Sequence, residues 1–552
     1  MGENKELVQE QIQQPVQSEV KSKEQQITDS GAHILQHDKP NKENFNVVLI
    51  TVQPNTDVIG IKYLHSYLRK NGIISRILIL PNYNGAMNTA IEKFFIKYKP
   101  TLVGFGVLSG EFSLIKEISK FLKSRFSIST FMGGYHATID SEKCLEYAAY
   151  VLRGEAEDTL LDICKKMKND EDFLDMPNMV YKQGRKIIKN PMRMPEQNLD
   201  KYPFPKNVPE ETYIFNDGNI SLMDEPLFKK YSRYTGTIYS FTASRGCNFQ
   251  CSFCIHSFNA KLYKEENLNV PKIRTRSVDN CMEELKLVKI NYPNTIYINM
   301  LDDNFFGHDV EWIREFSEKY KKDIGLPMIA RATPTFFTEE KAGLMKECGL
   351  IWIMTGLQTG SERIQREIYH RYINNEQFLK MTEIVHKFGF VGEYDVILDN
   401  PFEAEDDLLK TIDVILRIKK PYKLLLYSLM IFQGTALYDM AKEKNIEMDD
   451  PTKSYLKFKP TYLNRVIRLI PLYPKPFITF LVHNRKNKVA KILLPFFYHI
   501  SITTLEPPFL LKLVYISFNR NIMKTIGIIK PFLKTAMQRI VKQNMLAGKH
   551  PR

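Results

Sequence analysis

The sequence predicts an α/β protein made of two successive parallel-sheet units, a doubly wound open sheet and then a partial (β/α)6 barrel, ending in a basic helical region. Three observations predict it. Five short apolar runs alternating with helix-like stretches begin at Asn46, six further repeats begin at Ile238, and the positive charge is concentrated beyond Arg465. Such alternation is the signature of parallel strands covered by crossover helices. The chain has 552 residues, enough for two or three domains of roughly 100–200 residues with full cores. With 43% hydrophobic and 25% charged residues it reads as a globular protein and not as a bundle of membrane-spanning helices.

Residues 1–44 are rich in Gln, Glu, Lys and Asn and too poor in apolar residues to bury a core, so they are expected to be disordered. They contain no apolar segment of the secretory kind. Met1-Gly2 opens like a myristoylation site, but Glu6 stands where that signal requires Ser or Thr. A cytoplasmic location is therefore expected. The seven cysteines, an odd number, are expected to be reduced thiols and not a disulfide framework.

Residues 45–175 form the first predicted domain, with candidate strands Val47–Val52, Ile74–Leu80, Leu102–Val107, Ile128–Met132 and Tyr150–Arg153. Ligands of a doubly wound sheet bind outside the carboxyl ends of the strands. The loops there are rich in small residues, with Ser109-Gly110 after the third strand, Gly133-Gly134-Tyr135-His136 after the fourth and Gly154-Glu155-Ala156-Glu157 after the fifth. Glycine pairs let the backbone approach a bulky flat ligand, although tight turns in an ordinary α/β domain would read the same way. No G-x-G-x-x-G phosphate fingerprint is present.

Residues 176–234, Pro-, Asn- and Lys-rich at their start, have the composition of a linker. The second domain, residues 235–440, offers strands at Ile238–Ala243, Thr295–Met300, Met328–Ala332, Ile351–Thr355, Tyr394–Leu398 and Leu424–Ile431. Six successive units favour a partial or complete barrel over a second open sheet.

Residues 441–552 complete the chain. The net charge is +14, from 77 Lys or Arg against 63 Asp or Glu, and sixteen of the cations but one acid, Glu506, lie between Arg465 and Arg552. The rest of the chain is close to neutral, so an anionic partner would be met by this region alone. Its longest charge-free apolar stretch, between Lys491 and Glu506, has 14 residues and includes Pro495 and His499, short of the roughly 20 that a membrane span needs.

The most specific signal follows the first barrel strand. Arg245-Gly246-Cys247-Asn248-Phe249-Gln250-Cys251-Ser252-Phe253-Cys254 places three of the seven cysteines in a C-x3-C-x2-C spacing. Soft thiolates so close together select zinc or an iron–sulfur cluster. Zinc would need a fourth ligand, for which His256 is the near candidate. A cluster held by three cysteines leaves one iron open to a small molecule. Cys144, Cys164, Cys281 and Cys348 fall in helix-like segments and read as small core residues.

This decapeptide, with Phe253 before the last cysteine, resembles the signature of the radical S-adenosylmethionine (radical SAM) enzymes. The resemblance implies a 4Fe-4S cluster on Cys247, Cys251 and Cys254, S-adenosylmethionine on the open iron, a 5′-deoxyadenosyl radical, and an electron donor such as flavodoxin or ferredoxin. It implies SAM contacts at the later strand ends, at Asp302, Asp303, Arg331, Gln358 and Ser361. Two departures stand out. Gln358 occupies a position where the family often has glutamate, and Asp399-Asn400-Pro401-Phe402 stands where Gly-x-Pro-Gly is frequent. Asp302 and Asp303 would also serve as a helix N-cap pair.

The order of domains resembles the cobalamin-binding radical SAM proteins over roughly residues 45–440. This implies cobalamin against the strand-end loops of the first domain, at Ser109, Gly110, Gly133, Gly134, His136, Gly154 and Glu155. The Asp-x-His-x-x-Gly motif that supplies a cobalt ligand in many cobalamin domains is absent. Neither His65 nor His136 matches it, so cobalamin is expected without a histidine ligand from this domain.

The implied activity is methylation of an unactivated carbon of a small, lipid-like molecule. The alternatives are cobalamin-dependent cyclisation or rearrangement without methyl transfer, and a non-catalytic cobalamin sensor tethered to a membrane. A methylthiotransferase is disfavoured because no second cysteine triplet is present.

The C-terminal region bears on the substrate. On a helical wheel Lys512, Arg520, Lys524, Lys530, Lys534 and Lys542 share one half, and Tyr515, Phe518, Ile522, Ile526, Ile529, Leu533 and Ile540 the other, interrupted at Pro531. An anionic membrane surface at the inner face of the membrane, met by residues 465–552, is one expected partner. A helix packed on the barrel with a solvated basic face is the other reading. Nucleic acid is disfavoured because apolar residues separate the cations.

Overall fold

The computed structural model describes residues 45–448 and 457–517. The expected disorder of residues 1–44, and every member of the C-terminal wheel from Phe518 onward, lie outside them.

The first sheet is built on β1 (Asn46–Thr51), β2 (Ile74–Ile79), β3 (Leu102–Gly106), β4 (Ser129–Gly133) and β5 (Tyr150–Leu152), all parallel, in the order β5-β4-β3-β1-β2. Parallel strands buried on both faces need apolar residues at consecutive positions, and β1 is buried at all six. Val47 and Leu49 pack on one face with Leu160 and Cys164, and Val48 and Ile50 on the other with Ile91, Phe95 and Ile115. The sheet is therefore doubly wound, as predicted.

Residues 176–234 are not a free linker. They contribute β6 (Met179–Gln183) and β7 (Lys186–Lys189), which continue the sheet antiparallel beyond β5. They also contribute β8 (Thr212–Asn216), parallel to β2, and β9 (Asn219–Leu222), antiparallel to β8. The first domain thus has nine strands, and this segment caps both of its edges. Asp217 and Gly218, both at positive φ (47° and 88°), make the β8–β9 turn.

The second sheet is β10 (Ile238–Phe241), β13 (Tyr297–Met300), β14 (Met328–Arg331), β15 (Leu350–Gln358), β16 (Val391–Leu398) and β17 (Tyr422–Ser428), each parallel to the next. β10 and β17 are its two edges, so the barrel is partial. Ile298, Met300, Met328, Ala330 and Ile353 pack outward on the helices. By the period of two, the intervening Asn299, Arg331, Trp352, Glu393 and Asp395 face the lumen. A short hairpin of β11 (Ser244–Gly246) and β12 (Ile273–Thr275) stands beside this sheet.

The C-terminal helices Tyr462–Leu469, Lys475–His483, Lys488–Thr504 and Glu506–Ser517 belong to the barrel's fold. Val466, Ile467, Ile470 and Ile478 are buried with Leu357, Phe378, Ile412 and Ile415. Val514 packs with Ile238, Ile296, Tyr297, Ile329 and Ile351, residues at the amino ends of the strands, so the last described helix closes that mouth of the barrel. The opposite mouth carries the strand-end loops.

Candidate functional site

The cysteine loop is held from several sides. Ala243 N–H donates to both carboxylate oxygens of Asp302 at 3.1 Å, and Ser244 Oγ donates to Oδ1 at 2.5 Å. Gly246 has φ +107°, and a Cβ there would run into the Lys272 carbonyl, so the entry to the loop requires glycine. Between the second and third cysteines, Ser252 N–H donates to Tyr369 O at 2.9 Å and its Oγ to Ile368 O. Phe253 packs edge-on to Tyr369.

All three cysteines are free thiols. Burial pushes Cys247 up to about 11 and Cys254 up to about 12, and raises Cys251 against the opposing charge of Arg371. Metal binding would have to displace these protons. Arg371 is buried, hydrogen-bonds Cys251, and donates from Nη1 to Leu357 O at 3.2 Å.

Among the described residues no three Cys, His, Asp or Glu side chains converge on one ion-sized point. The zinc alternative would need four ligands gathered on one ion, and its fourth, His256, is bonded through Nε2 to Asp303 at 2.9 Å. Thiolates that bind separate irons of a cluster need no such convergence. The three-cysteine loop fits a cluster.

The loop faces the first domain across a cavity of about 750 Å³. Gly133, Gly134, Tyr135, Gly154 and Glu155 border it from one side, and Arg245, Cys247, Gln250, Asp303 and Arg331 from the other. Gly134 has φ +98°, and a Cβ on it would meet the Val107 carbonyl at 3.0 Å. A Cβ on Gly133 would meet nothing nearer than the Leu152 carbonyl at 3.8 Å. The backbone thus borders this part of the cavity with no side chain, which fits a broad flat ligand such as a corrin.

Ion pairs hold the two sides together. Arg245 Nη1 lies 2.8 Å from Glu155 and its Nη2 2.7 Å from Glu157, while Arg274 pairs with Glu155 from β12. Burial alone would raise the Glu155 carboxyl, but Arg245 and Arg274 outweigh it and hold it below the ordinary range. Arg153 adds a pair with Glu266 at 3.0 Å.

Of the predicted cofactor contacts, Asp303, Arg331, Gly133, Gly134, Gly154 and Glu155 border the cavity. Asp302 does not: it is fully buried and satisfied by the start of the cysteine loop, so it positions that loop. Ser361 is likewise buried, with Oγ bonded to Asp407 at 2.5 Å. Gln358 does not border the cavity either; it sits at a bulge in β15 with φ +65°, and its buried Oε1 has no protein partner.

Ser109 and Gly110 lie off the cavity, which is bordered there by Leu108. His136 is turned away, Nδ1 bonded to Ser109 Oγ at 3.2 Å and the ring on Phe112. His65 is buried with Nδ1 3.0 Å from Ser75 Oγ. Among the described residues the one histidine on the cavity is His256, from the second domain. Cys144, Cys164, Cys281 and Cys348 are buried core residues, as expected.

Sequence reasoning missed Tyr135, Arg245, Arg274 and Arg371. Arg245 and Tyr135 stood inside quoted motifs and could have been found there. Arg274 and Arg371 follow no strand end and carry no local signal.

Two family models match the chain, the Radical SAM superfamily over residues 241–415 and the B12 binding domain over residues 45–163. An uncharacterized methyltransferase of Pyrococcus horikoshii is 23% identical over 407 residues, covering 73% of this chain and 82% of that one. The solved cobalamin-dependent S-adenosylmethionine radical enzyme OxsB, with aqua-cobalamin bound, superposes with TM-score 0.60 at 16% identity, over 92% of this chain and 82% of that one. TsrM from Kitasatospora setae, a radical S-adenosylmethionine methyltransferase with cobalamin and a [4Fe-4S] cluster bound, gives 0.59 at 16% identity, over 72% and 78%. At these identities the two structures establish a shared fold.

Proposed function

The chain belongs to the cobalamin-binding radical SAM proteins, and on that premise we propose that it methylates an unactivated carbon of a small, lipid-like substrate. Its cofactors are a 4Fe-4S cluster, S-adenosylmethionine and cobalamin. When bound, they supply a 5′-deoxyadenosyl radical for hydrogen abstraction and a methyl group for the resulting carbon radical. The observation that carries the reading is that the cysteine loop and the glycine loops border one cavity.

The chain's own residues have distinct parts in this. Cys247, Cys251 and Cys254 hold the cluster, with Arg371 against Cys251 and Asp302 fixing the start of the loop. Arg331 and Asp303 on the cavity, with Gln358 through its unpartnered Oε1, would receive S-adenosylmethionine, and Gly133, Gly134 and Gly154 would leave the corrin its room. The Glu155–Arg245 pair sets the distance between the two cofactor loops. The reducing electron would come from an external one-electron donor of the flavodoxin or ferredoxin kind. The lipid-like class is supported by the basic region beyond Arg465 in an otherwise neutral chain, which draws the enzyme to the cytoplasmic face of a membrane. A methyltransferase so named among the relatives supports transfer over rearrangement.

The test is incubation of the reduced, reconstituted enzyme with methyl-labelled S-adenosylmethionine and a total lipid extract. Label in an extractable lipid together with 5′-deoxyadenosine is the expected result. Label only in water-soluble products refutes the substrate class, and 5′-deoxyadenosine with no labelled product in either fraction refutes methyl transfer.

Gly133→Leu is expected to lower cobalamin retention severalfold while leaving bound iron unchanged, read from corrin absorbance and iron content. A Cβ there meets nothing nearer than 3.8 Å, and Gly133 is not in the left-handed region, so the substitution does not strain the loop backbone. Gly134→Leu would not separate the two, because a side chain at φ +98° strains the loop itself. Parental cobalamin retention in Gly133→Leu would place the corrin elsewhere.

A further inference from the structure

The helix Lys488–Thr504 is apolar on two sides. Leu494, Phe497, Tyr498 and Ile502 turn inward and pack with the barrel's outer core. Val489, Ile492, Leu493 and Phe496 turn outward with 62%, 74%, 58% and 70% of their surface exposed, and Phe480 of the preceding helix is 60% exposed. At ~100° per residue, these outward positions and Ile500 fall within an arc of about 100°. A helix apolar all round belongs in a core or against lipid, and half of this one is not in a core.

The location of this stripe is specific. Arg485, just before the helix, pairs at 2.7 Å with Glu405, the first residue of the helix that follows β16. Asp399, one residue past the end of β16, accepts from Lys459 N–H at 2.7 Å and from Asn464 Nδ2 at 2.9 Å. The apolar stripe therefore starts at the carboxyl end of the barrel strands, the end that carries the cysteine loop. Lys475, Lys486 and Lys488 near its start are all exposed.

We propose that this stripe, with its lysines, is the face by which the enzyme docks on an anionic lipid surface and opens its catalytic mouth toward it. Charge complementarity selects that occupant. Residues 518–552 add eight Lys or Arg and no acid, so the chain that follows the stripe carries charge of the same sign as its lysines. A second copy would bring the same lysines face to face. An anionic surface complements both the stripe and the segment after it. No helix among the described residues is long and apolar enough to cross a membrane, and the docking is peripheral. The inference rests on the lipid-substrate reading and names where that substrate enters. It moves the contact from the wheel centred on residues 512–542 to the helices between Lys475 and Thr504.

The test is cosedimentation of the full-length protein with phosphatidylcholine vesicles, with and without phosphatidylglycerol, without substrate or turnover. The parent is expected to bind the mixed vesicles at low salt and to release as salt rises. Ile492→Asp/Phe496→Asp is expected to weaken binding by more than about tenfold. Lys486→Gln/Lys488→Gln is expected to lose the preference for phosphatidylglycerol. Ile290→Asp, on an equally exposed residue of another helix, is expected to bind as the parent does, and iron content monitors folding of every variant. Failure of the parent to bind mixed vesicles overturns the proposal, as does parental binding by Ile492→Asp/Phe496→Asp, which would move the contact to residues 518–552. Patch-dependent self-association without vesicle binding would make the face an interface between copies and overturn it too. Methyl transfer is read separately, so loss of docking leaves that reading standing.

Discussion

Alanine at Cys247, Cys251 or Cys254 is expected to reduce 5′-deoxyadenosine formation to the background of the uncatalysed reaction and to lower reconstituted iron from about four per chain. Each substitution removes one of three protein ligands, and no other thiol stands in reserve. Cys144, Cys164, Cys281 and Cys348, the remaining cysteines, are buried in the core. Cys281→Ala is the control, because its side chain is fully buried with Met282, Leu285 and Ile298. It should cost roughly 1 kcal/mol of stability through the small cavity it leaves while keeping iron and deoxyadenosine formation. The measurements are iron content, the broad thiolate-to-iron absorption and product chromatography under strict anaerobiosis. Equal losses in Cys281→Ala and Cys251→Ala would remove the cluster assignment, since one thiol lies in the loop and the other in a helix core.

What was legible in the sequence divides along physical lines. The eleven strands read from apolar runs are all present, because a parallel strand covered on both faces writes its position as consecutive apolar residues, as in β1. β6 to β9 were read as linker because edge strands with one solvated face, such as Lys186–Lys189, are half polar. The turn at Asn216-Asp217-Gly218 was a hairpin signal that the linker reading passed over. The cysteine ligands were legible because their spacing is local. Asp302 and Ser361 could not be sorted from Asp303 and Arg331 by position alone, since all four lie at or just past strand ends. What separates them is burial: Asp302 and Ser361 are fully buried against their partners, whereas Asp303 and Arg331 border the cavity. Arg274 and Arg371 became visible only when the fold brought them to Glu155 and Cys251.

Arg245→Met is expected to destabilise the protein by about 3 kcal/mol, more than any surface ion pair would account for. The side chain is 22% exposed and bonds two carboxylates of the other domain, of which Glu157 is 8% exposed. Removing the guanidinium leaves Glu157 buried without its partner, while Glu155 keeps Arg274. Arg245→Met/Glu157→Gln should therefore recover much of the loss, a coupling that a packing role for Arg245 would not produce. The pH dependence gives an independent check. The folded Glu155 carboxyl titrates below its ordinary 4.5, so near and below that value the unfolded chain binds more protons than the folded one. The stability from the pair is present above about pH 4.5 and is lost as pH falls further. The parent should thus show a steeper acid limb in chemical unfolding than Arg245→Met, the two curves approaching each other toward low pH. Since Arg245 lies two residues before Cys247 and its carboxylate partners lie in the loop after β5 and at the first residue of the next helix, the variant should also keep its iron while methyl transfer falls. Parental stability with a parental acid limb would show that the two cofactor loops are held together by something other than this charge network.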